Sequence, residues 1–305
     1  MPSIPEHFIP EFTAGIEFQT QQKISRLKEY CTDKGTSVGE IRFLNQLEPS
    51  EAHETTGQRG QATKRDQLYM DRRCMTPREI TKAVWLARND NIFLGGSAIS
   101  NSDALQTITM AHNRKIDQYI IESAYGVNFK GAKGNEPVNI PESQKLAITT
   151  GGGSQAVSLN LEKLLCVRQI LEENESLSDD CMNSGDKLVM MVNSSMLKAL
   201  LQEEKLTSSD YQAVQALVNG TINEALGIRF VRTELLLKDA NGNPQALAYM
   251  KSGLAFSTWK GLEVKVDELM EQNYDYQIWA QQNFGATRMD EKKFVIVPCK
   301  YMPAI

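Results

Sequence analysis

The chain has 305 residues, 41% hydrophobic and 23% charged, which fits one large globular domain or two ordinary ones. A formal charge of −5 gives no basic signature of a dedicated nucleic-acid surface. No apolar run is long enough to span a membrane, and the opening MPSIPEHFIPEF lacks the regions of a signal peptide. Five widely spaced cysteines without a C-x-x-C pair read as reduced thiols of a cytosolic protein.

Residues 1–38 read as an arm. Pro2, Pro5 and Pro10 keep its start extended. A polar helix is expected from about Thr13 to Cys31, with Ile16, Ile24 and Leu27 as its only apolar stripe. So thin a stripe fits either a helix resting on a neighbour or one that frays in solvent. From Gly39 the period drops to two, with Ile41 and Phe43 alternating with Arg42 and Leu44 as in a strand. EPSEAHETTGQRGQATKRD (48–66) then carries almost no apolar side chain, and Gln67 to Met75 returns extended. Residues 39–75 therefore read as a two-stranded excursion with a polar tip. A coreless loop of this length is either functional or disordered. Ile80, Val84 and Leu86 have strand-like spacing, with a helix over Thr76 to Leu86 as the alternative.

Asn101 to Gly126 is the longest stretch with helical periodicity and no internal Gly or Pro. Leu105, Ile108, His112, Ile116, Tyr119, Ile120 and Ser123 fall on one face, which is the expected core face. Asn101, Ser102 and Asp103 supply capping oxygens, and Gly126 is expected to stop the helix in the left-handed conformation. VNFKGAKGNEPVNIPES then reads as a surface loop and Lys145 to Thr149 as a short strand. SLNLEKLLCVRQILEENES reads as a helix with Leu161, Leu164, Leu165, Arg168, Ile170 and Leu171 on its apolar face and Cys166 in the core. Lys187 to about Leu237 reads as an α/β unit. Its parts are a buried strand LVMMV, a helix NSSMLKALLQEE capped by Asn193 or Ser194, a helix SSDYQAVQALVNG and a strand GIRFVRTELLL. DANGNP is a turn, ALAYMKSGLAF returns to the core, and GLEVKVDEL, YDYQIWAQQNFGATRMD and KFVIVPCK are three β runs.

Catalytic signals are sparse. Of His7, His53 and His112, only His112 sits in a predicted core, where a structural role outweighs a catalytic one. Asp179 and Asp180 are a solvated pair without metal-ligand spacing. Gly151-Gly152-Gly153-Ser154-Gln155-Ala156 fits G-x-G-x-x-A between a strand and a helix. The acidic residue such a fold needs about 20 residues on, at the end of the next strand, is missing. Glu172 and Glu173 lie at that distance but inside the helix. A hinge at Gly151, Gly152 and Gly153 is preferred to a phosphate cradle, and neither cofactor nor metal is expected.

Several strings together carry a resemblance. They are Asn113-Arg114-Lys115-Ile116-Asp117 followed by Ile120, Ile121 and Ala124; Asp210-Tyr211 with Ala216-Leu217-Val218-Asn219-Gly220; Gly227-Ile228-Arg229-Phe230; and Gly285-Ala286-Thr287-Arg288-Met289-Asp290 before Val295-Ile296-Val297-Pro298-Cys299. With the order of parts, they resemble the major capsid proteins of tailed bacteriophages. The arm and loop tip show no such match. The resemblance implies an α+β fold of the Hong Kong type, with an arm (1–38), an extended loop (39–75), a peripheral domain (76–126) holding a spine helix (101–126), an axial domain (127–258) and a return to the peripheral domain (259–305). It implies a structural protein of the virion, not an enzyme. Copies would assemble in the host cytoplasm as pentamers and hexamers of an icosahedral head around DNA bound without sequence specificity. A scaffolding protein, a portal and a decoration protein are implied as partners, and no membrane. Arg59, Lys64, Arg65, Asp66, Asp71, Arg72 and Arg73 of the extended loop are the expected subunit contacts, with Arg72 and Arg73 dispensable for folding. Two other readings stand beside it: an encapsulin-like compartment shell of the same fold, and a nucleotide-binding enzyme using Gly151 to Gly153.

Overall fold

The computed structural model describes residues 21–50, 52–54, 57, 65–86, 101–177, 185–202 and 224–302. Residues 1–20, the predicted helix SSDYQAVQALVNG, the Asp179–Asp180 pair, Arg59 and Lys64 lie outside them. Two compact units are present. One comprises Met1–Ser25, Glu79–Ile116 and Lys260–Asn283; the other comprises Arg26–Arg78, Asp117–Trp259 and Phe284–Ile305.

The strands are β1 (Thr32–Thr36), β2 (Arg42–Leu47), β3 (Met70–Met75), β4 (Arg78–Leu86), β5 (Asn128–Lys130), β6 (Glu136–Val138), β7 (Leu188–Val192), β8 (Glu224–Ala225), β9 (Ile228–Arg232), β10 (Gln245–Met250), β11 (Leu254–Leu269), β12 (Asp275–Arg288) and β13 (Phe294–Pro298). The helices are α1 (Asn101–Tyr125), α2 (Leu161–Glu173) and α3 (Ser194–Leu201). They form three sheets, ordered β1-β11-β12-β4, β13-β10-β7-β9-β8 and β2-β3-β5-β6.

In the larger unit, every residue of β7 is buried. It runs parallel to β9 and antiparallel to β10, so a continuous apolar run is what a central strand requires. Tyr249 stacks on Phe294 at 5.7 Å, joining β10 to β13. Helix α2 turns Leu164, Val167 and Leu171 inward. Lys163 is buried with them because its Nζ donates to the Val157 and Pro298 carbonyls at 2.9 and 2.8 Å. Leu165 is 50% exposed and Cys166 half-buried, so the expected apolar face is narrower than predicted. Asn193, one of the two predicted caps of α3, accepts from the Met196 N–H.

Four expectations are corrected. Residues 21–31 form no α-helix, only a 3₁₀ turn at Lys28–Tyr30, and β1 then pairs in parallel with β11. The cause is Asp117, fully buried, whose carboxylate accepts the Arg26 and Leu27 N–H groups at 2.9 and 3.2 Å. The predicted arm (1–38) is thus built into the larger unit from Arg26 onward. The glycine-rich connector after α1 is not a bare loop but adds β5 and β6 to the β2–β3 sheet. Lys145 to Thr149 makes only a one-residue bridge to Ile296, because turns closing at Thr150 and Gly152 curl the chain away. Gly126 does not take a positive φ. A Cβ there would lie 2.7 Å from the Glu122 carbonyl that its N–H bonds, so glycine is needed for close approach.

In the smaller unit, Ala104 and Ile108 of α1 pack on Ile278 and Ala280 of β12, with Val84, Leu86 and Val264 around them. Leu105, expected in that face, is 38% exposed. The buried line at this end runs through Ala104 and Ile108, and Leu105 lies about 100° round the helix from Ala104. Ile116 and His112 are buried further along.

Burial lowers the pKa of His112; the Gln282 side chain beside the ring opposes this, and the charge of Lys82 acts in the same direction as burial. The folded state therefore takes up this proton less readily than the unfolded chain. Stability from His112 is fully present above the ordinary histidine value near 6.5 and is lost as pH falls below it, at up to about 1.4 kcal/mol per pH unit. His112→Gln is expected to flatten the fall in melting temperature between about pH 6.5 and 5. Equal slopes for wild type and variant would show that His112 is not the titrating group.

Candidate assembly surface

Of the residues singled out in the extended loop, Asp71, Arg72 and Arg73 lie in β3 of the β2–β3–β5–β6 sheet, and Arg65 and Asp66 precede it. Its register pairs Phe43 with Cys74, Asn45 with Arg72 and Leu47 with Met70, then Cys74 with Phe129 and Phe129 with Pro137. Cross-strand partners share a face. The opposite face carries Leu44 and Met75, which join Ala255 and Met289 in a buried cluster against Trp259.

The outward face is the unusual one. Phe43 and Phe129 are 39% and 43% exposed, and Leu47 and Met70 are 65% and 66%. Leu68 and Tyr69 are exposed beside them. Beyond Cys74 and Phe129 the face opens into a cavity of about 260 Å³, lined also by Arg78, Tyr119, Glu122 and Thr287. The Arg78 guanidinium stands 5.6 Å over the Tyr119 ring. Tyr119 is half-buried, edge-on to Phe284 at 5.5 Å, and Ile120 is fully buried.

The charged residues expected here separate into classes. Arg65 and Arg72 are exposed. Asp66 pairs with His53 at 2.9 Å, and Asp71 pairs with Lys130 at 3.3 Å. Arg73 is turned inward and is only 6% exposed. Its two terminal nitrogens donate to Glu291 at 2.8 and 2.5 Å, so it is a structural residue of the larger unit rather than a free contact. Glu291 also stands 3.7 Å from Arg288, which is fully buried. Arg288 donates to the Ala124, Gly126 and Val138 carbonyls at 2.8, 2.5 and 2.9 Å. Burial draws its pKa down to about 10, which leaves it charged at neutral pH.

Gly151 and Gly153 have positive φ and lie in a run of tight turns. A Cβ on Gly152 would lie 2.3 Å from Val157, so its missing side chain is filled by packing. Helix α2 begins only at Leu161, and the Asn160 side chain already accepts the Lys163 N–H at its start. The glycines therefore do not open a helix, as a pyrophosphate site requires.

Sequence reasoning missed the exposed apolar residues. The available signal was that Phe43 and Leu47 share a parity opposite to Leu44, so β2 has apolar side chains on both faces.

The sequence model of a family described as phage capsid protein matches residues 4–301. No curated protein matches the chain. Among solved structures, Mycobacterium phage Che8 is similar at 15% identity over 96% of this chain and 97% of the other, with a TM-score of 0.69. The cyanophage Pam1 capsid asymmetric unit matches at 9% identity, 99% of each chain and a TM-score of 0.72. The capsid of Ralstonia phage GP4 matches at 9% identity, 100% of each chain and 0.69. At such identities the likeness establishes the fold, the Hong Kong-type fold of tailed-phage capsids, while the match over nearly the whole sequence places the chain in the phage capsid protein family.

Proposed function

We propose that copies of this chain gather as pentamers and hexamers and close into an icosahedral head around double-stranded DNA. The observation that supports this is the apolar outward face of the β2–β3 hairpin. Burying one large apolar side chain contributes about 1.5–3 kcal/mol, whereas an exposed ion pair contributes about 0–1. Leu47 and Met70 then outweigh Arg65 and Arg72 in a contact with a neighbouring subunit. In this reading residues 39–75 lie across that neighbour. Residues 76–126 and 259–305 form the peripheral domain, and residues 127–258 form the axial domain that meets its copies at five-fold and six-fold centres. Gly151 to Gly153 serve as a hinge. A scaffolding protein and a portal act during assembly in the host cytoplasm, a decoration protein binds outside, and DNA is held without sequence contacts, in keeping with a net charge of −5.

Leu47→Glu with Met70→Glu tests the reading. Both side chains are exposed in the single chain, so circular dichroism and monomer solubility should be unchanged. Sedimentation of protein co-expressed with its scaffold should lose the shell fraction. Normal shell yield would remove this face from the contact.

A further inference from the structure

We propose that His112, Lys82 and Gln282 form an acid-sensitive latch of the smaller unit, in which protonation of His112 releases α1 from its sheet while the larger unit stays closed. The latch needs only the single chain and does not rest on the assembly reading above. Ala104 and Ile108 of α1 pack on Ile278 and Ala280 of β12. One further step along each element brings His112 and Gln282. Four residues of helix advance about 6 Å and two residues of strand about 6.6 Å, so the two stripes keep pace. On β4, Val84 and Leu86 border the same core, and strand alternation puts Lys82 on their face. An apolar contact thus ends in a polar layer.

His112 is 2% exposed, and neither ring nitrogen has a well-formed hydrogen bond among the described residues, although the Gln282 side chain lies beside the ring. Buried polar atoms are usually paired, so an unpaired imidazole in a core contact is a cost that an aliphatic side chain would avoid. The neutral ring is tolerated. Once protonated it carries two N–H donors and a charge. Gln282 brings a single carbonyl oxygen, and the charge that acts on the ring is that of Lys82, which repels a second cation. The charged groups nearby on these strands are engaged elsewhere. Glu79 and Asp275 accept from Gln281 and Trp85, and Lys260 and Lys265 pair with Glu263. Water must then enter between α1 and β12 to solvate the ring, and opening one compact unit costs less than unfolding the whole chain. Histidine is the side chain that ordinarily titrates between pH 5 and 8. In the larger unit the one described histidine is His53, which is exposed and paired with Asp66, so mild acid has no comparable target in that core.

Hydrogen exchange of the unassembled full chain tests the latch, read by mass spectrometry at neutral and mildly acidic pH and corrected to protection factors. Peptides within 79–86, 101–116 and 262–282 should lose protection by up to about tenfold for each pH unit below about 6.5, the slope for uptake of one proton. Peptides within 188–192, 245–250 and 294–298 should keep theirs. His112→Gln, neutral throughout, should abolish the acid loss. Lys82→Gln should shrink it, because without that charge the folded ring takes up its proton nearly as readily as the unfolded chain does. Lys82 is exposed, so this second variant keeps the test open should His112→Gln fail to fold. Unchanged protection in acid, or an equal loss in wild type and His112→Gln, would overturn the latch. An acid loss untouched by Lys82→Gln would overturn it as well. A loss spread evenly over both units would mean global rather than local opening, and would also overturn it.

Discussion

Arg288→Ala is expected to cost about 3–5 kcal/mol of unfolding free energy, the range for breaking a buried charged network. Two effects add. The substitution removes a guanidinium that is fully buried, leaving a void that neighbouring backbone can close only in part. It also strips donors from three carbonyls, those of Ala124 and Gly126 at the end of α1 and Val138 in β6. The last carbonyls of a helix have no partner within the helix, so a buried helix end needs an outside donor. Arg288→Lys should recover only part of the loss, because one ammonium cannot reproduce the planar fork that reaches three acceptors. Urea unfolding of the unassembled protein measures this directly. A loss below about 1 kcal/mol would show that water replaces the guanidinium and that the network is not structural.

Arg73→Glu and Arg72→Glu are expected to differ sharply although the two positions adjoin. Arg73 is 6% exposed and bidentate on Glu291. Its reversal sets two carboxylates against each other in a buried site and should cost about 3–5 kcal/mol or more. Arg72 is exposed on the outward face. Its reversal should change monomer stability by no more than about 0.5 kcal/mol while weakening assembly, and more so at low salt. Reversing both together is therefore expected to destabilise the monomer through Arg73, whereas the sequence reading expects a folded monomer. Equal effects of the two single variants on urea unfolding would contradict the inward placement of Arg73.

The pattern of regular elements was largely legible. The all-apolar run LVMMV, the alternation in β2 and the uninterrupted periodicity of α1 are local signals, and each produced the expected element. What escaped was set by distant partners. The strand β1 exists because β11 lies beside it, and the turn before it is fixed by Asp117, 90 residues away from Leu27. No local pattern in residues 21–36 announces either. Arg73 and Arg72 look alike in sequence, and only the position of Glu291, 218 residues further on, separates them. Leu105 fitted the helical stripe, but at that end of α1 the line packed on β12 runs through Ala104 and Ile108, and Leu105 lies to one side of it. For the proposed assembly surface, charge in the loop drew the sequence reading, whereas the exposed apolar side chains of the sheet are Leu47, Met70, Phe43 and Phe129. Strand parity could have revealed that much, since apolar residues on both faces of one strand mean that both faces are to be covered.

The claim at the centre of this account is that the chain is a shell-forming unit. The most direct measurement is electron microscopy of wild-type protein purified after co-expression with its scaffold. Closed shells, or at the least ring-shaped pentamers and hexamers, are predicted. A strictly monomeric protein at high concentration, with the scaffold present, would contradict it.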